Sequence, residues 1–204
     1  LLAEIEAYES FERFPIIVSN KLKDERLPNE KVEQGKARIF SVCPFPYLIY
    51  VRKWLLGFIV YFKQHFLETE VAAGIDPNSR TWHDLAAHLT NGFTSLLSED
   101  ADYGGFEYCV PSNVSSAPYT VFKRMTNEIE LIRQIENISM YNQKTVNIVA
   151  DLWYYRHVGN TSGQPITLHY NCILNSLLLR CAFLQYYVTK GHDITEASQI
   201  VKTN

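Results

Sequence analysis

The sequence predicts an α+β fold. Two short runs rich in β-branched residues, PIIVSNKLK (15–23) and KARIFSVC (36–43), read as strands. Two long stretches, about 47–66 and 166–189, repeat their apolar residues at helical spacing. Strands and helices follow one another without the regular βαβα alternation of a doubly wound sheet.

In chain order, residues 1–13 read as the end of an acidic helix. Residues 15–23 are the first strand, 26–35 a loop marked by Pro28, Asn29 and Gly35, and 36–43 the second strand. Residues 47–66 form a helix. After the turn AGIDPNS, WHDLAAHL is a short helix. FTSLLSEDAD (93–102) fits a strand. Pro118 opens a helix to about Ile135. A further helix is expected from Gln143 to Arg156. GNTSGQP (159–165) is a loop, and Ile166 to Thr189 a long helix.

Composition bounds the function classes. The chain has 204 residues, 47% hydrophobic and 20% charged, enough for a sizeable core. A net charge of −3 excludes a broadly basic nucleic-acid binder, so contact with a polyanion has to come from local clusters. Cys43, Cys109, Cys172 and Cys181 are scattered without a C-x-x-C pair, and read as small buried residues of a reducing compartment. Arg52 and Lys53 interrupt one apolar stretch, and His, Asn and Arg the other, so no transmembrane segment is expected. The two ends read as those of a piece of something longer.

Three stretches carry candidate chemistry. Between Lys21 and Arg38 six basic residues are interleaved with four acids. A salt-bridged, solvated hairpin explains such a run. Lys36 and Arg38 nonetheless alternate on an expected strand and point to one face, with Lys23 at the end of the facing strand. Converging Lys and Arg can grip a triphosphate. In DADYGGFEYCVP (100–111) a strand ends in Asp102, followed by two glycines and Glu107. The glycines permit close approach of a ligand, and the amides can form an anion nest. A carboxylate beside a triphosphate suits Mg²⁺. In GNTSGQPITLHYNCILNS, Thr167, Asn171 and Asn175 repeat at i, i+4, i+8 as one polar stripe on an apolar helix. Near a flexible loop that stripe suits a ligand with hydroxyls, whereas Asn175, farthest from the loop, suits satisfaction of buried backbone.

Together, KDERLPNEKVEQGKARIF, AGIDP, DYGGFE and SGQPITLHYNCILNS resemble, in order and spacing, the fingers and palm motifs of RNA-dependent RNA polymerases of picorna-like positive-strand RNA viruses, invertebrate and marine types above all. The resemblance covers about residues 19–190. It implies a fragment of a right-hand polymerase. Residues 1–92 are expected to be a fingers segment with a basic hairpin for the incoming nucleotide, and 93–112 a palm strand with the catalytic Asp. Residues 113–158 are then a helical insertion, and 159–204 the palm loop and long helix. Lys23, Lys31, Lys36 and Arg38 match the motif that meets the triphosphate, with Tyr103, Gly104 and Gly105 beside it. Asp102 matches the catalytic, metal-binding aspartate. Glu107, Ser162, Gly163, Thr167 and Asn171 match positions that sense the ribose.

Three departures accompany the match. Glu107 stands where the family has Asp, Leu27 where some relatives have a second Arg, and the Gly-Asp-Asp motif is not reached before Asn204. The implied cofactor is Mg²⁺ or Mn²⁺ at a two-ion site of which this stretch carries half, so that the fragment alone is expected to be inactive. The implied partners are an RNA template and primer, nucleoside triphosphates and, as one option, a protein primer. The implied location is the host cytoplasm, at membrane-associated replication complexes. Two other readings stand beside it: a non-catalytic RNA- or nucleotide-binding module, and a reverse-transcriptase-like polymerase.

Overall fold

The computed structural model describes residues 1–90, 103–106, 110–157 and 159–203. The expected strand 93–102, with Asp102, as well as Glu107 and Cys109, lies outside them. The elements are α1 (Leu2–Glu9), β1 (Ile16–Leu22), α2 (Asn29–Glu33), β2 (Ile39–Val42), α3 (Phe45–Gln64), α4 (Arg80–Thr90), α5 (Ser112–Ser115), α6 (Ala117–Arg124), α7 (Ile129–Gln143), β3 (Thr145–Val149), β4 (Leu152–Arg156), α8 (Thr167–Thr189) and α9 (Ile194–Thr203). The mixed α+β class is as expected.

The chain forms two compact units. The first comprises Leu1–Tyr61 and the described residues of Ser95–Thr167; the second takes the described residues of Phe62–Thr94 and Leu168–Asn204. The first holds a four-stranded sheet in the order β2-β1-β3-β4. β1 pairs antiparallel with β2 and parallel with β3, and β3 pairs antiparallel with β4. Ile16, Val18, Thr145 and Asn147 are buried on one face of this sheet. Its hydrophobic centre is aromatic. Tyr8, Tyr47, Tyr50 and Tyr141 lie with ring centroids 5.3 to 6.2 Å apart, mostly edge to face, the arrangement ring quadrupoles favour. The Tyr50 hydroxyl donates to Gln134 Oε1 at 2.7 Å.

In the second unit α4, α8 after its first residue and α9 supply the helices. Phe62, Tyr170, Leu174 and Ala197 are buried. Arg180 pairs with Glu70, and Ser176 bonds the same carboxylate. The Arg180 bonds hold the Glu70 carboxyl below its usual range, opposed by partial burial.

Four expectations are corrected. The helix expected over 143–156 is the β3–β4 hairpin, so 113–158 is not wholly helical. Thr145, Val146, Ile148 and Val149 are β-branched and Trp153 to Tyr155 aromatic, side chains that suit a pleated surface. Ala150, at φ 50°, makes the turn. The helix expected from Pro118 to Ile135 is two, α6 and α7. Between them the Thr126 hydroxyl accepts the Glu128 N–H at 3.2 Å, a local bond that competes with the helical one. The loop 26–35 contains the short helix α2. By length and composition α3 and α8 do reach the range of a membrane span. In α3, however, Tyr47, Tyr50, Val51 and Leu55 are fully buried within the protein, and Lys53 pairs with Glu9 at 2.6 Å.

Candidate nucleotide site

The basic segment is built on the β1–β2 ladder. Lys21 opposes Phe40, and the register continues past the strand ends, where the Lys23 N–H donates to the Arg38 carbonyl at 2.8 Å. Lys23 and Arg38 are therefore neighbours across the ladder. Glu25 lies between them, 3.3 Å from Lys23 Nζ and 3.4 Å from Arg38 Nη1. Its other oxygen is buried without a hydrogen-bond partner among the described residues. Lys36 and Arg38 precede β2, which begins at Ile39, so the expectation that both sit on a strand is corrected. The Lys36 N–H instead donates to the Lys31 carbonyl at 2.9 Å, closing the turn after α2. Gly35, at φ 63°, takes the left-handed conformation that turn needs. The four cations thus form two pairs, one across the ladder and one around the turn. Lys31 and Lys36 are exposed, with no ion pair among the described residues.

The loop 159–166 is a fixed structure. Asn142 Oδ1, at the end of α7, accepts the Thr161 N–H at 3.3 Å and Gln164 Nε2 at 2.7 Å. Arg156 donates to the Thr161 hydroxyl at 2.6 Å. The Thr167 hydroxyl donates to the Thr161 carbonyl at 3.0 Å, which ties the first turn of α8 back to the loop. Thr161, Gln164, Asn142 and Arg156 are all buried, so these bonds replace lost hydration.

Ser162 and Gly163 dock this loop on β2. The Ser41 N–H donates to Ser162 Oγ at 3.1 Å. Ser162 Oγ keeps its own proton free to donate. A Cβ on Gly163 would stand 1.9 Å from the Ser41 carbonyl oxygen, so no larger side chain fits that approach. Ser41 is in turn anchored from behind. Its hydroxyl donates to Asn20 Oδ1 at 2.7 Å, Asn20 donates to Asn147 Oδ1 at 3.0 Å, and Asn147 to the Thr145 hydroxyl at 2.7 Å. This buried polar chain crosses β2, β1 and β3 and pins their register. Cys43, beside the docked glycine, has its thiol pushed up to about 12 by burial, against the pull of Arg156, which makes it a poor nucleophile. Cys181, by contrast, is exposed and Cys172 half-buried, so the expectation that the cysteines are uniformly buried is corrected.

Of the remaining candidates, Tyr103 to Phe106 form a turn in which Tyr103, Gly104 and Gly105 are exposed and Phe106 is half-buried. Gly105 is at φ 67°, and the Tyr103 ring lies 5.0 Å from Phe106. Asn171 lies one turn beyond Thr167 on the same face of α8 and is half-buried. The structure therefore joins Lys23 to Arg38, and Ser162 and Gly163 to the strand that follows Arg38. Sequence reasoning missed Glu25, Ser41 and Asn142. It also missed a groove lined by Phe45, Leu48, Ile49 and Arg52 of α3 with Ser162 to Pro165 of the loop. The i, i+3, i+4, i+7 spacing of the α3 residues was a legible sign of one helix face. The described residues contain no grouping of three or more His, Cys, Asp or Glu able to hold a metal ion.

A family model described as viral RNA-dependent RNA polymerase matches residues 1–203. The replicase polyprotein of Acute bee paralysis virus (strain Rothamsted) is 31% identical over 173 residues, covering 84% of this chain and 9% of that protein. The genome polyprotein of Deformed wing virus is 32% identical over 176 residues, covering 82% of this chain and 6% of that protein. The chain thus spans under a tenth of either relative. Among solved structures, the Sicinivirus 3Dpol RNA dependent RNA polymerase aligns with a TM-score of 0.63 at 21% identity, over 86% of this chain and 38% of that one, a likeness of fold.

Proposed function

The chain belongs to the viral RNA-dependent RNA polymerases, and on that footing we propose that it is the part of such an enzyme that receives the nucleoside triphosphate and checks its sugar. The complete enzyme joins nucleoside triphosphates to an RNA 3′ end under direction of an RNA template, in the host cytoplasm. Residues 1–92 act as fingers, 93–112 as the palm strand and 159–204 as the palm loop and helix. Family membership takes the place of the reverse-transcriptase-like alternative.

The observation that carries this reading is the bond from the Ser41 N–H to Ser162 Oγ. It couples the strand behind the cationic hairpin to the serine–glycine loop, so a triphosphate and its ribose meet parts of one rigid frame. Arg38 can fork onto two phosphate oxygens, and Lys23, Lys31 and Lys36 act as point charges. Such prepositioned charge stabilises the reacting phosphates without reorganisation. Ser162, held as an acceptor by Ser41, presents its hydroxyl proton toward a ribose oxygen. Thr167 fixes the loop, and Asn171 and Glu107 complete the check of the 2′-hydroxyl, the group that separates RNA from DNA precursors. Tyr103, Gly104 and Gly105 are assigned to the phosphate side of the same site. The α3 groove, apolar with one guanidinium at Arg52, suits a template nucleotide.

The family typically uses Mg²⁺. The proposal assigns Asp102 as a ligand of that ion, or of Mn²⁺, in a two-ion site, where one ion would activate the primer hydroxyl and the other would neutralise the leaving pyrophosphate. Asp102 lies outside the described residues.

The test is template-directed incorporation by the polymerase that contains this chain. Asp102→Asn should abolish addition and leave RNA binding nearly intact. Lys36→Ala with Arg38→Ala should raise KM for nucleoside triphosphates more than it weakens template binding. An Asp102→Asn enzyme within about tenfold of the parent, or a Lys36/Arg38 pair whose loss only lowers the salt slope of RNA binding, overturns the assignment.

A further inference from the structure

Residues directly opposed in a sheet share a face, so the register sorts the side chains of the first unit. Trp153, Ile148, Ser19 and Val42 make one row across the four strands. Tyr155, Val146 and Ile17 make the next row on one side, and on the other side, two residues beyond Ser19, Lys21 lies opposite Phe40. This is the face away from the buried Ile16, Val18 and Asn147. It is open: Trp153 is 67% exposed, Tyr155 57% and Ile17 56%. The Trp153 and Tyr155 rings sit 6.0 Å apart, and Tyr155 lies nearly parallel to the His157 ring at 6.1 Å.

We propose that this open face binds single-stranded RNA, with bases stacking on Trp153 and Tyr155 and phosphates drawn to Lys21 and the Lys23–Arg38 end of the ladder. The proposal rests on the polymerase reading for the presence of an RNA strand, but on residues outside the serine–glycine loop. Charge favours this occupant. Lys21 falls on this face by register, the Lys23–Arg38 pair continues the ladder just past the strand ends, and no Asp or Glu occupies a strand position on the face. Glu25, which pairs Lys23 and Arg38, sits beyond the strand ends. Every base has a π face, so exposed aromatic rings beside cations bind single strands without reading sequence. The face is also continuous with the cationic hairpin, so one strand can reach both.

The experiment uses the polymerase that contains this chain, with a fluorescein-labelled single-stranded oligoadenylate followed by anisotropy. Trp153→Ala with Tyr155→Ala should raise Kd about tenfold and leave KM for nucleoside triphosphates unchanged. Trp153→Phe with Tyr155→Phe should keep parental Kd, since the stacking faces remain. A 4-thiouridine oligonucleotide should crosslink to the peptide containing Trp153 and Tyr155 in the parent enzyme, a readout that does not depend on the variants folding. Unchanged Kd in the alanine pair, or crosslinks confined to other peptides, overturns the proposal. A lowered melting temperature with unchanged Kd also overturns it, and shows instead that a protein segment covers the face. A parent enzyme that incorporates no nucleotide defeats the proposed function; an active parent with indifferent variants defeats only this surface.

Discussion

The Ser41 backbone N–H points at the Ser162 hydroxyl oxygen, 3.1 Å away, across 121 positions of chain. Neither residue would attract notice alone. Ser41 is buried in the short strand β2, and its own hydroxyl faces the opposite way, onto Asn20. Ser162 sits on the loop that leads into α8. The two serines turn a flexible-looking Gly-Asn-Thr-Ser-Gly run into a fixed edge of the cationic hairpin.

Gly163 sets how close that edge can come. A methyl group there meets the Ser41 carbonyl at 1.9 Å, and the obstacle is backbone in a paired strand. Gly163→Ala should therefore lift the loop from β2, with a cost of about 1–3 kcal/mol typical of overpacking. Ser162→Ala removes the acceptor and should cost about 1 kcal/mol. Urea denaturation measures both. In the polymerase, Gly163→Ala should impair nucleotide addition more than Ser162→Ala does. Equal stability of Gly163→Ala and parent rules out the docked loop.

Glu25 holds the two cations that the proposed function needs for the triphosphate. Lys23 is 45% and Arg38 69% exposed, so each ion pair is weakened by solvent, with exposed pairs worth about 0–1 kcal/mol. Glu25→Gln should accordingly leave stability almost unchanged while freeing both cations. The expected result is a lower KM for nucleoside triphosphates and a steeper salt dependence of RNA binding. A raised KM would mean that Glu25 positions Lys23 and Arg38, and that their pairing is part of the working site.

The aromatic centre distinguishes two tyrosines that look alike in sequence. Tyr50 donates to the buried Gln134 side chain at 2.7 Å, whereas the Tyr47 hydroxyl is buried with no hydrogen-bond partner among the described residues. Tyr50→Phe strands a buried acceptor and should cost about 1–3 kcal/mol. Tyr47→Phe removes an unsatisfied hydroxyl and should be neutral or stabilising. Urea midpoints of the two variants give the comparison; the opposite order would disprove the assigned hydrogen bonds.

Much of this frame was legible because local and tertiary preferences agree. β1, α4, α8 and the loop 159–165 carry their own signals: β-branched alternation, helical period, and Gly with Pro at the breaks. The β3–β4 hairpin is hard to recognise in the sequence because Asn147 puts a polar side chain at a fully buried position, which breaks the alternation of apolar and polar residues along the strand. Its burial makes sense only once Asn20 stands beside it, 127 positions away in the chain. The same reason hid Ser41, Asn142 and Glu25. Each acts through a partner that only the fold supplies. The break between α6 and α7 carries neither Gly nor Pro, and rests on one Thr126 hydroxyl.

His169 offers a pH test in the second unit. It lies in the first two turns of α8, is only 7% exposed, and neither ring nitrogen has a hydrogen-bond partner among the described residues. The Phe62 ring is 6.1 Å away. Burial lowers its pKa below the ordinary 6.5, because a charged imidazolium there has no compensating contact. In the unfolded chain the same ring protonates near 6.5. Below that pH the unfolded state binds the proton that the native state refuses, so stability falls as pH falls, and above it the penalty vanishes. The melting temperature should therefore drop between about pH 6.5 and pH 5 by more in the parent than in His169→Phe, which has no proton to take up. The variant should also match or exceed the parent at the acidic end, since an aromatic ring of similar breadth keeps the contact with Phe62. Parallel pH profiles for the two proteins would show that His169 is protonated in the folded chain or reaches solvent there, and that its burial exerts no control over stability.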